Sequence, residues 1–293
     1  MEDRTLLSRI GDGINIFFLI LIAAAMLFPF YYMFVVSFAT YEEFVNTDLL
    51  LFPKEWVLDA YEYILSSKEF MRSLWVTIYV TVIGTFVSLL ITAMMAYALS
   101  RNILGQKVYL FLILFTFVFS AGMIPNYMIV QATGLMDSLW ALIIPTAINA
   151  FNLIVMRQFF LNLPNDLTEA AIIDGANDLQ IFIKLMLPLS KPALAAFGLF
   201  YAVGLWNSYF TALLYLSEPA KWTVQVVLRQ IVILNQASNI LDPAMNVGDG
   251  KNPPPAETIG MAAILISTIP ILLVYPFLQK HFAKGVMLGS VKE

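Results

Sequence analysis

The chain has 293 residues, 60% of them hydrophobic and 12% charged, with a mean hydropathy of +0.80. Such a balance lies far outside that of a soluble domain and marks a membrane protein. With 0 cysteines it has no disulfide framework, thiol nucleophile or cysteine-based metal site; a formal charge of −4 argues against nucleic acid, although in a membrane chain the distribution of charge across the two sides matters more.

A membrane-crossing helix needs about 20 largely apolar residues, because it rises ~1.5 Å per residue through a hydrocarbon core roughly 30 Å thick. Six segments qualify in chain order: Ile14 to Phe38, Ser73 to Leu99, Val108 to Val130, Leu139 to Phe160, Ala193 to Tyr215 and Thr258 to Leu278. They hold no Asp, Glu or Lys, and Arg157 falls at the end of the fourth. The expected fold class is therefore all-α, a polytopic membrane protein of six transmembrane helices forming a single domain over residues 1–293. The first segment follows Arg4 and Arg9 and contains the small residues Ala23 to Ala25, as a signal peptide would, but its apolar run continues to Phe38 and reads as a retained span. A shorter apolar run, Val224 to Leu234, interrupted by Arg229 and Gln230, is expected to lie as a surface or interfacial helix.

Lysine and arginine are retained on the cytoplasmic side of a membrane. With the amino terminus inside, the inner segments hold 10 basic and 8 acidic residues and the outer ones 6 basic and 12 acidic. Both termini are expected in the cytoplasm. This leaves outer loops at 39–72 and 216–257 and one long inner loop at 163–192.

The inner loop runs Leu163-Pro-Asn-Asp-Leu-Thr-Glu-Ala-Ala-Ile-Ile-Asp-Gly-Ala-Asn-Asp-Leu-Gln-Ile-Phe-Ile-Lys-Leu-Met-Leu-Pro-Leu-Ser-Lys-Pro192. It is expected to form two short helices: one capped by Asp166 with Glu169 three residues on, stopped by a left-handed Gly175, and one capped by Asp178 and ending near Pro188. Ala170, Ala171, Ile172, Leu179, Phe182 and Ile183 would then face water, an apolar set too short to cross the bilayer. Either a partner groove covers them, with Phe182 as anchor, or the hairpin packs beneath its own helices or on the lipid surface. Spacing leaves both readings open.

The spacing Glu169-Ala170-Ala171, three residues, Gly175, nine residues, Leu185, one residue, Leu187-Pro188 resembles the signature loop of ABC importer permeases, with Leu185 in place of isoleucine. Phe119-Ser-Ala-Gly-Met-Ile-Pro125, Gly134-Leu135, Met156-Arg-Gln-Phe-Phe160, Trp206-Asn-Ser-Tyr-Phe210 and Lys284-Gly-Val-Met-Leu-Gly-Ser290 are similar to the carbohydrate, maltose-type group. Many of its members carry an acid where this chain has Ser208. That departure, with the length and layout, is similar to the smaller permease of an alginate or related acidic-oligosaccharide importer. The resemblance implies the maltose-type permease fold in a bacterial cytoplasmic (inner) membrane. It also implies a heterodimer with a second permease, two ATPase subunits that bind ATP and Mg, an extracytoplasmic solute-binding protein and a saccharide cargo. By the same resemblance Glu169, Ala170, Ala171, Asp174, Gly175, Phe182 and Pro188 would couple the chain to the ATPase.

The chain has no G-x-x-x-x-G-K-[ST] phosphate loop, so ATP would be hydrolysed elsewhere and no cofactor or metal is expected here; Gly250-Lys251-Asn252 is a fragment of a loop. The single histidine, His281, follows the last span, where a helix-end role fits better than catalysis. Asn149, Asn152, Trp206, Asn207, Ser208 and Tyr209 form a polar and aromatic set at intermediate depth. They suit either a saccharide path or hydrogen bonding between helices. Prolines 29, 125, 145, 270 and 276 are expected to break or bend spans, with Gly122 and Pro125 the best candidate for a bend toward a cavity. The alternative function is a secondary sugar carrier or channel working without an ATPase, although no carboxylate or amine stands within the spans for ion coupling.

Overall fold

The computed structural model describes residues 6–234 and 254–286, with side chains described at 11–40, 42–234 and 254–274. Lys251 and the tail beyond Val286 lie outside the described residues, and so does the side chain of His281. The described residues are helical, with no strand among them. In order they form α1 (Leu6–Ser37), α2 (Tyr41–Asn46), α3 (Asp59–Ser66), α4 (Lys68–Ser100), α5 (Gln106–Val118), α6 (Met123–Ala132), α7 (Trp140–Ile143), α8 (Ala150–Leu161), α9 (Asn165–Ile173), α10 (Asp178–Ile181), α11 (Leu187–Leu189), α12 (Lys191–Trp206), α13 (Tyr209–Tyr215), α14 (Val224–Val232) and α15 (Ala256–Val286).

Three helical stretches are long and apolar enough to cross a membrane unaided: Gly11–Ser37, Lys68–Ser100 and Ala256–Val274. Two bent pairs qualify when each is taken as one span: Trp140–Thr146 with Ala150–Leu161, bent by 53°, and Asp178–Leu189 with Lys191–Trp206, bent by 82°. Length and composition thus support three to five crossings, where six were expected. The shortfall comes from breaks inside the third, fourth and fifth apolar segments.

Each break has a local cause. Between α5 and α6 the chain turns at Gly122, whose φ of 84° and ψ of 178° suit a residue without a Cβ. Pro125 lies in the first turn of α6, where its missing N–H has no helical acceptor in any case. Pro145 sits in the 3-10 turn Ile144–Thr146, and the next helix starts afresh because Asn149 is extended and its side chain accepts the Asn152 N–H at 3.1 Å. After α12, Asn207 and Ser208 turn their side chains back onto the carbonyls of Val203 (2.9 Å) and Leu205 (2.6 Å), and the helix stops. Pro29, Pro270 and Pro276, by contrast, sit inside uninterrupted helices.

The residues fall into two compact units. The first comprises Met1–Met71 and Leu228–Thr268. Here the segment after α1 is ordered by bonds to that helix: Tyr31 donates to the Leu51 carbonyl (2.7 Å), Ser37 and Tyr61 share a hydrogen bond (2.8 Å), and Phe38 packs against Trp56 and Tyr61.

The second unit comprises Arg72–Val227 and Ile269–Glu293. Its α4, α7 and α12 meet at Gly84, where a Cβ would stand 2.6 Å from Leu205 Cδ1 and 3.3 Å from Ile143 Cγ1. The start of α14 belongs to this core: Val224 and Val226 are buried, and the Val224 N–H donates to Thr77 Oγ1 at 2.8 Å. The expected surface helix is therefore packed on protein. Its Val226 joins a cluster with Val80, Val130 and Leu216.

Candidate functional site

The hairpin between α8 and α12 is built from complementary stops and starts. Helix α9 begins after Pro164 without a side-chain cap, so Asp166, at its second position, favours the helix start through charge and does not cap it. Its end is a Schellman motif: Gly175, at φ 82°, donates to the Ile172 carbonyl (3.0 Å) and Ala176 to that of Ala171 (2.9 Å). The cap of α10 is Asn177, one residue ahead of the expected Asp178. Asn177 Oδ1 accepts the Gln180 N–H (2.9 Å) while Gln180 Oε1 accepts the Asn177 N–H (3.0 Å). The spacing Asn177-x-x-Gln180 was a readable signal for this capping box. A π turn over Phe182–Met186 then leads into α11, and the wider ladder precedes Pro188, which has no N–H to give it.

One side of this hairpin is held by the chain itself. Phe182 is 5% exposed and packs on Tyr97, with ring centroids 5.3 Å apart, in a cluster with Met156, Phe160, Ile181 and Met186. It does not face water as expected; the ring is long enough to reach back between α4 and α8. Thr168 is buried too, and its hydroxyl accepts a hydrogen bond from Arg101 Nη2 at 3.3 Å. The other side is bare. Glu169 and Ala170 are exposed, as are Ile172, Ile183, Leu179 (62%) and Ile173 (85%). Ala171 is half-buried, and with Asp174, Gly175, Gln180 and Lys184 it lines a surface groove of about 470 Å³.

A second feature gathers much of the polar set. A cavity of about 600 Å³ is lined by Asn149, Asn152, Asn207, Ser208 and Tyr209, together with Phe151, Phe200, Tyr201 and Phe210. Trp206, the sixth predicted member, is buried and faces an apolar groove with Val82, Leu199 and Pro270. The cavity arises where α7, α8, α12 and α13 are broken, which is why helix-end residues line it. Lining and hydrogen bonding between groups coincide here: Asn149 and Asn207 make local bonds and still border the space. The described residues around it carry no formal charge, so it can offer amides, hydroxyls and aromatic faces but no counter-ion.

Sequence reasoning missed Tyr201. Its hydroxyl hydrogen-bonds Thr92 Oγ1 (2.7 Å) and accepts the Asn149 N–H (3.2 Å), which fixes the wall of the cavity. The signal was there, since Tyr201, Gly204 and Ser208 recur at helical spacing on one face.

Asp137 was also passed over. At φ 57° it is the positive-φ non-glycine among the described residues. Its Oδ1 accepts the Ser217 and Glu218 N–H groups (3.1 Å each) and its Oδ2 pairs with Lys221 (3.1 Å). These bonds, the Glu218 N–H first and the Lys221 ammonium next, hold its carboxyl below the usual carboxylate range. Lys221 also pairs with Glu218 at 2.7 Å, so it is committed to this clip.

Comparison with known proteins places this architecture. Residues 88–288 match the family described as binding-protein-dependent transport system inner membrane component. Over 286 residues, covering 97% of this chain and 99% of the relative, it is 52% identical to the polygalacturonan/rhamnogalacturonan transport system permease protein YtcP of Bacillus subtilis (strain 168). It is 48% identical to Protein LplC of the same organism, covering 99% and 97%. A crystal structure of a bacterial ABC transporter involved in the import of the acidic polysaccharide alginate contains a chain that superposes with a TM-score of 0.87 at 35% identity, covering 96% of this chain and 100% of that one. The chain belongs to the binding-protein-dependent transport system inner membrane components, the permeases of ABC importers.

Proposed function

We propose that this permease imports acidic oligo- or polysaccharide across the cytoplasmic membrane by alternating access, paired with a second permease and driven by two ATPase subunits that grip the hairpin between α8 and α12. The observation that carries the docking role is the division of that hairpin into a buried side, with Thr168 and Phe182, and a bare side, with Glu169, Ala170, Ile172 and Ile173. An apolar strip beside an acidic residue and a groove suits insertion into a partner cleft. Asp174 and Gly175 shape that groove, Pro188 ends the element and Phe182 acts from inside, as its attachment to the body. ATP and Mg belong to the partner ATPase. Six crossings with both termini inside fit the charge partition and put the hairpin in the cytoplasm, where ATP is found.

The cargo class is supported by the polygalacturonan/rhamnogalacturonan relative and the alginate-importer neighbour. The uncharged cavity and the engaged Lys221 support a reading in which carboxylates are recognised mostly by the partner permease and the solute-binding protein. In the cavity Tyr209, Asn152 and Ser208 would meet the rings and hydroxyls of the sugar.

The test is reconstitution of the whole complex with Glu169→Ala or Gly175→Ala. ATP hydrolysis is expected to continue with uptake lost, and wild-type uptake in both variants would refute the docking role. Transport by this chain in vesicles without any ATPase would favour a secondary carrier.

A further inference from the structure

The hairpin and the cavity are joined by one helix. Near its inner end α4 carries Tyr97, with Arg101 directly beyond its last residue; Arg101 donates to Thr168 of the hairpin while its guanidinium lies over the Tyr97 ring, 4.9 Å from the centroid. Tyr97 in turn packs on Phe182. Five residues back, about 7.5 Å along a helix, Thr92 of α4 bonds Tyr201, whose hydroxyl accepts the N–H of Asn149 on the cavity wall. The carbonyl of Leu99, just before Arg101, is pinned by Arg157 Nε and Gln106 Nε2, both at 2.7 Å, so this end of α4 is held firmly to α8 and α5.

We infer that the inner stretch of α4, from Thr92 to Ser100, is the lever that carries hairpin displacement to the substrate cavity, with Arg101 and Tyr201 as positioning residues at the two ends of that stretch. Resting on the docking reading above, the inference names the route inside this subunit. A packed helical stretch moves as a unit, and the directional bonds at Thr92 and Arg101 tie it to the cavity wall at one end and to the hairpin at the other. Arg101 Nε is buried without an acceptor, so the guanidinium has a donor free to take a new partner when Thr168 moves.

The chain has 0 cysteines, so single introduced ones report one place each. Ile173→Cys reads the bare hairpin and Phe210→Cys the cavity wall, each labelled with a maleimide in the reconstituted complex with and without ATP. In the otherwise unaltered chain, ATP is expected to change labelling at both. With Arg101→Met the hairpin response stays and the cavity response shrinks about fivefold or more. Tyr201→Phe, acting at the far end, gives the same split, and Arg101→Lys restores part of it. An unchanged cavity response with Arg101→Met and with Tyr201→Phe would overturn the inference while leaving docking intact. Loss of the hairpin response with Arg101→Met would overturn it as well, since Arg101 would then serve attachment. A hairpin cysteine indifferent to ATP and ATPase in the unaltered chain would instead defeat the docking reading and the lever with it.

Discussion

Asp137 shows how much one side chain can organise. A residue other than glycine in the left-handed region costs roughly 1–2 kcal/mol, and here the carboxylate holds two successive N–H groups and a lysine in return. Its folded-state pKa is depressed, so the clip contributes fully above the ordinary carboxylate range and is lost as pH falls through the folded-state value. Acidification is therefore expected to lower the protection of the Ser217 and Glu218 amides, taken as their exchange rate relative to the intrinsic rate at each pH, selectively. Asp137→Asn, which keeps an acceptor and tolerates the left-handed region, should remove that pH dependence; identical pH profiles for the two proteins would show that another group titrates. Gly175 is the complementary case. At φ 82° it has no neighbour within 4 Å to clash with a methyl group, so Gly175→Ala is expected to cost about 1–2 kcal/mol through the backbone alone. Gly175→Asn should cost less, a difference to be read as proteolytic susceptibility of the hairpin.

At the scale of elements, the hairpin and the close packing of α4 carry the tests. Phe182 fills a cluster beneath the hairpin, so Phe182→Ala is expected to cost about 3–5 kcal/mol of local stability and to expose 163–192 to proteases while α4 stays protected. Were Phe182 the anchor in a partner cleft, the free chain would be unaffected and only ATPase binding would suffer. Gly84 sets how close α4 comes to α7 and α12, and a methyl group there meets Leu205 at 2.6 Å. Gly84→Ala is expected to cost about 1–3 kcal/mol as overpacking, seen as a lower unfolding temperature of the complex. Gly198→Ala, meeting only Leu89 at 3.2 Å, should cost less. The elements were legible to different degrees for physical reasons. The runs under α1, α4 and α15 are uniformly apolar and read directly from composition. The breaks depend on Gly122, Asn149 and the back-bonding pair Asn207 and Ser208, which a hydropathy window averages away. Prolines marked breaks only in part: Pro125 and Pro145 stand at them, whereas Pro29 and Pro270 sit inside helices that continue past them.

Across the whole molecule, the candidate functional residues read best where they form a linear pattern. Glu169 to Pro188 are contiguous, so the hairpin was visible in the sequence, including the left-handed stop at Gly175. The cavity gathers residues from α7, α8, α12 and α13; of the polar and aromatic set picked out by polarity in apolar segments, Asn149, Asn152, Asn207, Ser208 and Tyr209 border it and Trp206 borders an apolar groove, because an indole in a span says nothing about which face it occupies. The same limit applies to topology, where the argument rests on 10 basic residues assigned inside against 6 outside. A cysteine-free chain makes that argument directly testable. Leu49→Cys, exposed in the segment after α1, should react with a membrane-impermeant maleimide in intact cells stripped of their outer layers, whereas Ile173→Cys should react only after the membrane is opened. The labelling has to be done without the ATPase bound, since docking would cover Ile173 and mimic the same protection. Reaction at Ile173 from outside would place the hairpin away from ATP, and neither the docking role nor the lever through α4 could then operate.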